Sequence, residues 1–533
     1  MDYKSPLELL LQWEREMPDK VYLRQPINNV WHTWTWKETA AEARKMAAAI
    51  AAMKFPPGSN IGLVSKNCAH WIICDLAIMM SGHTSVPLYP NLTADSMKQI
   101  LVHSDAVLLF VGKLDNWQNM KKGVPEGLTC ISFPFCNHKG YTTWNEIMVT
   151  FEPVNKVNLR GKDEIATILY TSGTTGISKG VVHQFSSLSF TTLNAIPYLE
   201  FDSATRFFSY LPLSHSAERS LVEMCSIYTG AEVFFSESIE KFAFNLCEAK
   251  PTVFLGVPQI WNKIQQRITN RISQKKLDWL LRIPFLSELI KRKIRKSLGL
   301  SEAVHIFTGA APTSVELLQW FKKIGINIQE GYGLTENWTY SHITKRDNIK
   351  IGYAGQPFPG VEVKLGENNE ILIRHNGLMR GYYKEPEKTR EAFTWDGFLK
   401  TGDTGTIEGE NFLKITGRIK DIFKTSKGNY VAPSHIEMKI SGNSIVNMAC
   451  VIGSGMPQPL ALVTLSDTGK KLSKSELELQ LGKIQNQLNS RLDVHEKISG
   501  IIVSKDEWTT DNGLLTATFK VKRNEIEKKY API

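Results

Sequence analysis

The sequence predicts an α/β fold: a large N-terminal domain of layered α/β subdomains, then a small β subdomain, then a small α+β C-terminal domain. Three observations predict this order. Apolar runs typical of buried strands alternate with helical periodicity through roughly the first 360 residues, which favours layers with largely parallel sheets. After that point the runs become short strands separated by polar turns. From Arg418 onward, strands and helices mix within about 115 residues, which is enough for a separate domain.

The individual elements follow in chain order. Buried strands are predicted for "NIGLVSKN", "AVLLFVGK", "IATILYTS", "RFFSYLPL", "TVFLGVP" and "AVHIFTGA", and amphipathic helices for "WKETAAEARKMAAAIAAM" and "TSVELLQWFKKIG". The β subdomain is indicated by "VEVKLGENNEILIRH" and "GTIEGENFLKITGR", and the last domain by the strands "MACVIG" and "LALVTLS" and the helix "SKSELELQLGKIQNQLNSRL". We therefore predict an N-terminal domain over residues 1–417, with its β subdomain at about 350–417, and a C-terminal domain over residues 418–533.

Composition excludes several classes of protein. Apolar residues make up 42% and charged residues 22%, as in ordinary globular proteins. No apolar run is as long as a transmembrane helix, which needs about 18 residues. The first residues do not resemble a secretory signal. The seven cysteines are scattered and odd in number, without a CxxC pair, so we expect reduced thiols and a cytoplasmic protein.

The segment Tyr170–Gly180, "YTSGTTGISKG", follows a buried strand but cannot pack a core. Its glycines permit backbone conformations in which successive N–H groups converge on an anion, while its hydroxyls and Lys179 add donors and charge. A polyphosphate fits this set, although the spacing differs from the G-x-x-x-x-G-K-[ST] loop. The alternative is a surface loop, which such clusters usually form.

Later motifs follow in an order that carries a resemblance. They are "YLPLSHSAERS", "FTGAAP", "QEGYGLTE", "MRGYYKEPEKT", "GFLKTGD", "GRIKDIFKTSKGNYVAP" and "LTATFKVKR". Together with the loop, they resemble the acyl-adenylate-forming (ANL) superfamily of acyl-CoA synthetases, peptide-synthetase adenylation domains and luciferases. The pieces "LPLSHSAER", "GVPQIWNKI" and "DIFKTSKGNYVAPSHIE" are similar to the long-chain fatty acyl-CoA synthetase branch and its relatives that use acyl carrier protein.

The resemblance implies an AMP-forming acid–thiol ligase. ATP and Mg²⁺ would activate a medium- to long-chain fatty acid as acyl-AMP, and the thiol of CoA, or alternatively the phosphopantetheine of acyl carrier protein, would take the acyl group. Two rivals are a luciferase-like oxygenation as second step and a non-catalytic binder. The intact "KTSKGNYVAP" segment argues against the first, and the presence of all the motif residues argues against the second.

The resemblance also assigns a nucleotide site. The phosphates are assigned to Thr171, Ser172, Gly173, Thr174, Thr175, Gly176 and Lys179, and the adenine to Gly309, Ala310, Ala311 and Pro312. Thr335 and Tyr332 would lie at the α-phosphate and the adenine face, and Glu330, Gly331 and Gly333 belong to the same nucleotide site. Asp403 would bind the ribose, and Arg418 would reach the same ribose or a phosphate. Glu336 is the implied Mg²⁺ ligand, since magnesium prefers oxygen donors shared with phosphates. Without the family, Glu336 would be interpreted as a solvated loop carboxylate.

The implied catalytic residues are Lys520, Glu336, His215 and Thr171. Lys520 would bridge the substrate carboxylate and the α-phosphate, whereas a lysine in a basic tail is usually only solvated. His215 would lie at the floor of the acyl site, the alternative being a core histidine. The adjacent Glu218 and Arg219 are expected to form only a local ion pair.

Two further roles follow from the resemblance. Lys420 is the implied hinge of a mobile C-terminal domain, and Lys427 and Gly428 would border the thiol channel in its second pose. Ser178 and Ala517 depart from the family, which usually has proline at the first position and often at the second. Serine leaves the phosphate loop less stiff but removes no ligand.

The net charge of +10 is concentrated in the basic stretch, residues 263–296, which holds eleven basic residues and two acidic ones for a net of +9. Three interpretations remain open: a solvated face or oligomer contact, a peripheral membrane helix, or a docking surface for an acidic acyl carrier protein. We predict no nucleic-acid partner.

Overall fold

The computed structural model describes residues 3–136, 140–172, 178–516 and 519–530, without the side chain of Ser172. Its helices are α1 Pro6–Glu16, α2 Trp36–Ala52, α3 Ala69–Met80, α4 Ala94–His103, α5 Trp117–Met120, α6 Trp144–Thr150, α7 Phe185–Tyr198, α8 Ser216–Glu218, α9 Cys225–Thr229, α10 Phe242–Ala249, α11 Pro258–Arg271, α12 Gln274–Leu280, α13 Pro284–Ser297, α14 Val315–Lys323, α15 Pro386–Ala392, α16 Pro433–Ser441, α17 Lys474–Asn489 and α18 Arg523–Tyr530.

The strands include every run predicted above. They are β1 Val21–Ile27, β2 Val30–Thr35, β3 Asn60–Val64, β4 Thr84–Leu88, β5 Leu108–Val111, β6 Thr129–Ser132, β7 Thr142–Thr143, β8 Ile165–Ser172, β9 Ser178–Gln184, β10 Arg206–Ser209, β11 Glu232–Phe235, β12 Val253–Gly256, β13 His305–Thr308, β14 Gln329–Tyr332, β15 His342–Ile343, β16 Gln356–Pro357, β17 Glu362–Leu365, β18 Glu370–Arg374, β19 Gly381–Tyr382, β20 Leu399–Glu408, β21 Phe412–Arg418, β22 Phe423–Lys424, β23 Tyr430–Val431, β24 Val446–Ile452, β25 Leu460–Leu465 and β26 Ile501–Val503.

Two large sheets organise the N-terminal part. One has the strand order β16-β15-β14-β13-β12-β10-β11-β1-β2, and the other β19-β9-β8-β4-β3-β5-β6-β7. In both sheets the central strands run parallel to their neighbours, and the antiparallel pairs lie toward the edges. The predicted α/β class with largely parallel sheets is confirmed.

Helix α3 lies between the two sheets and contacts strands β1, β3 and β4. Its sequence "AHWIICDLAIMM" is apolar on all sides, and all of its residues are buried, as expected for a helix covered all round. Its one charged residue, Asp75, accepts a hydrogen bond from Arg219 Nη2 at 2.5 Å.

Arg219 begins one turn of π-helix, Arg219–Met224, and its side chain is fully buried. Its Nε donates to Glu223 at 3.0 Å and its Nη1 to Thr167 at 2.7 Å. The expected local pair of Glu218 with Arg219 was wrong. Glu218 instead accepts from Ser209 Oγ and the Tyr210 N–H, both at 3.0 Å, because the helical turn points adjacent side chains in different directions.

Past residue 360 the chain forms smaller sheets. Strands β17, β18, β20 and β21 make an antiparallel sheet. Strands β24, β25 and β26 make a mixed sheet that packs against α16 and α17, in which β26 runs parallel to β25. Each sheet has its own hydrophobic core, one including Ile371 and Leu413 and the other Val451 and Ile484. These separate cores support the predicted boundary between residues 417 and 418, which stays a prediction.

Candidate active site

The carboxylate of Asp403 lies at the centre of a hydrogen-bonded group formed by three strands. Strands β20 and β21 pair Asp403 directly with Arg418, and Arg418 Nε donates to Oδ1 at 2.8 Å. The hydroxyl of Tyr332, at the end of β14, donates to Oδ2 at 2.8 Å. Burial, and then the charge of Asp403, hold the pKa of Tyr332 well above its ordinary value, so Tyr332 stays a donor. Each oxygen of Asp403 keeps a second lone pair for a ligand hydroxyl.

A second group joins Glu336 to the phosphate loop. Glu336 lies in the short turn Thr335–Asn337, and its Oε1 accepts from the Tyr382 hydroxyl at 2.9 Å. Strand β19 pairs Tyr382 with Val181 on β9, the strand that carries Lys179. The Lys179 ammonium lies 4.7 Å from the centre of the Tyr382 ring. Tyr382 thus contacts both implied phosphate-site residues.

Tyr382 was missed by sequence reasoning. The motif "MRGYYKEPEKT" was recognised, but nothing in it distinguishes Tyr382 as a functional residue from the adjacent Tyr383. Its role depends on strand pairing, because β19 reaches the site only as the edge neighbour of β9.

The base of the phosphate loop is held by the pairing of β8 with β9. Thr171 faces Lys179 across this pair, and the backbone of Ser172 faces that of Ser178. The predicted ligands Gly173, Thr174, Thr175 and Gly176, and the side chain of Ser172, lie outside the described residues.

Lys520 lies within electrostatic range of the same groups. Burial, and then the charge of Arg418, lower the pKa of its ammonium from the ordinary value, while Asp403 and Glu336 partly oppose them. Lys520 is exposed as a residue. The local turn is closed by Thr516, whose N–H donates to the Lys520 carbonyl at 2.8 Å.

His215 faces Lys520 from the N-terminal domain. It caps the turn Ser216–Glu218, and its Nδ1 accepts from the Ala217 N–H at 3.1 Å. Burial, and then Lys520, lower the pKa of His215 to about 4, so the imidazole is neutral at pH 7. With Nδ1 as acceptor, the ring proton lies on Nε2, which can donate to a ligand.

The turn that carries Thr335 is fixed from behind. The Nε2–H of buried His183 donates to the Thr335 carbonyl at 2.7 Å, and Ser216 Oγ donates to Thr335 Oγ1 at 3.5 Å. Trp338 packs edge-on against His183, with ring centres 4.9 Å apart. The guanidinium of Arg219 lies 5.8 Å from the centre of the Trp338 ring. The buried Arg219 network therefore supports the floor of the site.

The segment Gly309–Pro312 leaves the end of β13 as a surface without large side chains. A Cβ on Gly309 would lie 3.0 Å from the Gly331 carbonyl oxygen, and one on Gly333 2.5 Å from the Thr339 backbone. A side chain at Gly333 would therefore force the backbone at Thr339 to shift, whereas at Gly309 it would be tight against the Gly331 carbonyl. The Glu330 carboxylate accepts from the Gly352 N–H at 2.9 Å, and burial raises its pKa to about 7.

The remaining predicted residues lie elsewhere on the C-terminal domain. Lys420 is in the turn Ile419–Asp421, directly after Arg418. Lys427 and Gly428 lie in the exposed turn between β22 and β23, where Gly428 has a φ of +84°. Of these C-terminal residues, Lys520 is the one whose charge Asp403 and Glu336 influence.

Comparison with known proteins follows the same division of the chain. The AMP-binding enzyme family matches residues 10–383, and the AMP-binding enzyme C-terminal domain matches residues 420–533. Long-chain-fatty-acid–CoA ligase FadD15 of Mycobacterium bovis is 28% identical over 99% of this chain and 96% of its own. Long chain acyl-CoA synthetase 2 of Arabidopsis thaliana is 29% identical over 100% of this chain and 92% of its own.

Solved structures show the same fold. The anthranilate CoA ligase AuaEII with anthranoyl-AMP superposes with a TM-score of 0.81 at 20% identity, covering 100% of this chain and 98% of that one. The o-succinylbenzoate CoA synthetase MenE of Bacillus subtilis with OSB-AMP gives 0.79 at 21% identity, covering 99% of each chain. The resemblance predicted from the motifs is confirmed: the chain belongs to the family of AMP-binding enzymes, within the acyl-adenylate-forming superfamily.

Proposed function

We propose that this protein is an ATP-dependent fatty acid–CoA ligase that forms acyl-AMP and then acyl-CoA. The observation that carries the proposal is that Arg418 contacts Asp403 while the ammonium of Lys520, from the C-terminal domain, is within electrostatic range of Asp403, Arg418 and Glu336. The curated relatives that match almost the whole chain are long-chain fatty acid–CoA ligases. We therefore assign a medium- to long-chain fatty acid as substrate.

The first half-reaction joins the fatty acid to AMP. A carboxylate oxygen of the fatty acid attacks the α-phosphorus of ATP, the bond from that phosphorus to the oxygen bridging to the β-phosphate breaks, and pyrophosphate leaves. We assign Lys520 to neutralise the charge that develops at the α-phosphate, and its electrostatic range to Asp403 and Glu336 supports this. Such preorganised charge is usually the largest catalytic contribution. We assign the His215 Nε2–H to donate to the substrate carboxylate, because the hydrogen bond at Nδ1 leaves the proton on Nε2.

The nucleotide would lie between the two groups described above. We assign Asp403 and Arg418 to the ribose, Thr335 and Tyr332 to the α-phosphate and adenine edge, and Gly309–Pro312 to the adenine face. Glu330, Gly331 and Gly333 shape the strand ends that carry these residues. Thr171 and Lys179, with residues 172–176, are assigned to the β- and γ-phosphates.

Magnesium fits the donor set. In the described residues no three His, Cys, Asp or Glu side chains cluster as a closed metal site. Mg²⁺ needs no such cluster, because it is usually held by one or two carboxylates together with substrate phosphates and waters. We assign Glu336 as that carboxylate, oriented by the Tyr382 hydroxyl; bound Mg²⁺ would neutralise phosphate charge.

The second half-reaction transfers the acyl group to a thiol. The sulfur bonds to the acyl carbon, the acyl–oxygen bond breaks and AMP leaves. We propose CoA as the acceptor, because the full-length relatives are CoA ligases; acyl carrier protein is not favoured. We assign Lys420 as the hinge and Lys427 and Gly428 to the thiol channel, reached when the C-terminal domain rotates and withdraws Lys520.

We further propose a cytoplasmic location. Cys68, Cys74, Cys225 and Cys450 are buried without disulfides, which supports a reducing compartment. None of the helices in the described ranges is both long enough and apolar enough to cross a membrane.

The experiment that tests the function supplies ATP, Mg²⁺ and fatty acids of graded length, with CoA or holo-acyl carrier protein in parallel reactions. We expect fatty-acid-dependent pyrophosphate release and a thioester on CoA. A thioester on the carrier protein alone would overturn the acceptor, and absence of pyrophosphate release would overturn the function.

A further inference from the structure

Helices α12 and α13 form a hairpin within the basic stretch, and it carries two apolar faces. The inner face, which includes Leu277 and Ile294, is buried in the core around Trp261 and Phe321. Gln274 also accepts a hydrogen bond from the Trp320 Nε1–H at 2.8 Å, which fixes α12 against α14. The fold therefore needs only the inner face.

The outer face forms an apolar tip, made of Trp279, Ile283, Phe285 and Leu289. The exposed fractions of these residues are 59%, 37%, 91% and 63%. Pro284, Phe285 and Leu289 line one shallow hollow with Glu288 and Arg292, so Phe285 and Leu289 share one surface at the start of α13, and Trp279 and Ile283 lie just before it in the chain. Single exposed apolar residues are ordinary, but a cluster of large ones marks a contact surface.

A basic collar flanks this tip on both sides. Exposed Lys275, Lys276 and Arg282 precede its centre, and exposed Arg292 and Lys293 follow it. The two acids of the basic stretch only partly offset this charge. Glu288 pairs with Arg292 at 3.3 Å, and Asp278 accepts a hydrogen bond from Gln274 at 2.9 Å, so the five collar cations still exceed the two acids by three.

We infer that the tip and collar dock on an anionic lipid bilayer. A tryptophan and a phenylalanine beside aliphatic residues suit the boundary between headgroups and acyl chains, and the surrounding cations suit the lipid phosphates. A second copy of this chain would bring the same net positive surface against this one. An acidic carrier protein could pair with the cations of the collar, but it would not provide an apolar environment into which the side chains of the tip could insert.

The placement has a consequence for the substrate. Long fatty acids partition into bilayers, so a docked enzyme would draw them from the membrane. That consequence rests on the proposed function, whereas the docking itself rests on the hairpin alone.

Vesicle co-sedimentation of the full chain tests the docking. We expect binding to vesicles that contain phosphatidylglycerol, much weaker binding to pure phosphatidylcholine, and release at high salt. The double variant W279A/F285A should weaken binding roughly tenfold or more, since both side chains insert. Trp395→Ala is the matched control, because Trp395 is 99% exposed and lies on the β subdomain; it should bind as the wild type does.

Charge reversal tests the collar. K275E/K276E should abolish binding to anionic vesicles, while K37E/K122E, which changes net charge equally at exposed sites outside the basic stretch, should not. Equal binding by the tip variant and the wild type, a carrier protein bound at the collar without vesicle binding, or a dimer dissolved by W279A/F285A would each overturn the inference. W279A/F285A should keep full activity on a short fatty acid added from solution, so loss of docking is distinguishable from loss of function.

Discussion

At the scale of single residues, Lys520 carries the strongest expectation. Its ammonium is in electrostatic range of Asp403, Glu336 and Arg418, where it can act on the reacting phosphate. Lys520→Ala should lower fatty-acid-dependent ATP–pyrophosphate exchange by roughly 100- to 1,000-fold. Transfer to CoA from supplied acyl-AMP should change little. Lys505→Ala, an exposed lysine of the same domain, is the control. Full exchange activity in Lys520→Ala would refute the assignment.

The same lysine predicts a pH dependence. Burial and Arg418 lower its pKa from the ordinary value of 10.5. Because adenylation needs the protonated form, kcat/KM should fall on the alkaline side at a lower pH than an unperturbed lysine would give. Lys520→Arg should move this fall to higher pH, since arginine stays charged. An alkaline limb at the same pH in both enzymes would assign it to another group.

Tyr382 is expected to position the magnesium ligand. Tyr382→Phe removes the hydroxyl that donates to Glu336 but keeps the ring beside Lys179. A hydrogen bond to a charged group contributes about 1.5–3 kcal/mol, so the Mg²⁺ concentration for half-maximal rate should rise roughly tenfold to 100-fold. Tyr382→Ala, which also removes the ring, should in addition raise the KM for ATP. An unchanged Mg²⁺ requirement in Tyr382→Phe would show that Glu336 needs no such support.

At the scale of elements, the buried network of Asp75, Arg219 and Glu223 joins α3 to the π-helical turn. Arg219→Ala should cost about 3–5 kcal/mol of stability, because it leaves Asp75 buried and unpaired. Urea denaturation followed by tryptophan fluorescence measures the loss. An Arg219→Ala protein as stable as the wild type would contradict this prediction and would mean that water enters the space left by the arginine and solvates Asp75.

Glu223→Gln is the matched substitution in the same network. Burial, and then the charge of Asp75, hold the pKa of the Glu223 carboxyl well above its ordinary value. A raised folded-state pKa destabilises the fold above the ordinary value near 4.5, and the penalty disappears as the pH falls below it. Glu223→Gln should therefore be nearly neutral or stabilising at pH 7. A loss as large as that of Arg219→Ala would show that Glu223 is ionised.

Local pattern predicted the elements but not their neighbours. The alternation of apolar runs was sufficient for β3, β5, β8, β10, β12 and β13, because each is buried on both faces. Strand β19 has two residues and no periodicity, and its place beside β9 comes from tertiary pairing. Glu218 and Arg219 are adjacent in sequence, yet their partners Ser209 and Asp75 come from distant segments. Motifs therefore identified Glu336 and Asp403, whereas Tyr382 and His183 needed the fold.

At the scale of the whole molecule, the proposed mechanism uses different faces of the C-terminal domain for its two half-reactions. The Lys520 ammonium is within electrostatic range of Asp403, whereas the turn with Lys427 and Gly428 is exposed. Residues of the two domains also meet between Gln266 and the Ser444 carbonyl, at 3.4 Å. Under this mechanism a single rigid arrangement would serve only the first step, so we propose that the chain between Arg418 and Asp421 allows rotation.

Lys420→Pro tests this rotation. Proline fixes φ near −65°, which is within the range of a 3₁₀ turn such as Ile419–Asp421, so the described arrangement should survive. We expect pyrophosphate exchange to remain near the wild-type rate, while acyl transfer from acyl-AMP to CoA falls roughly tenfold or more. Lys420→Ala controls for loss of the charge and should support both steps. If Lys420→Pro slowed exchange and transfer equally, the pivot would lie elsewhere or the domain would not rotate, because a block at the pivot must separate the two half-reactions.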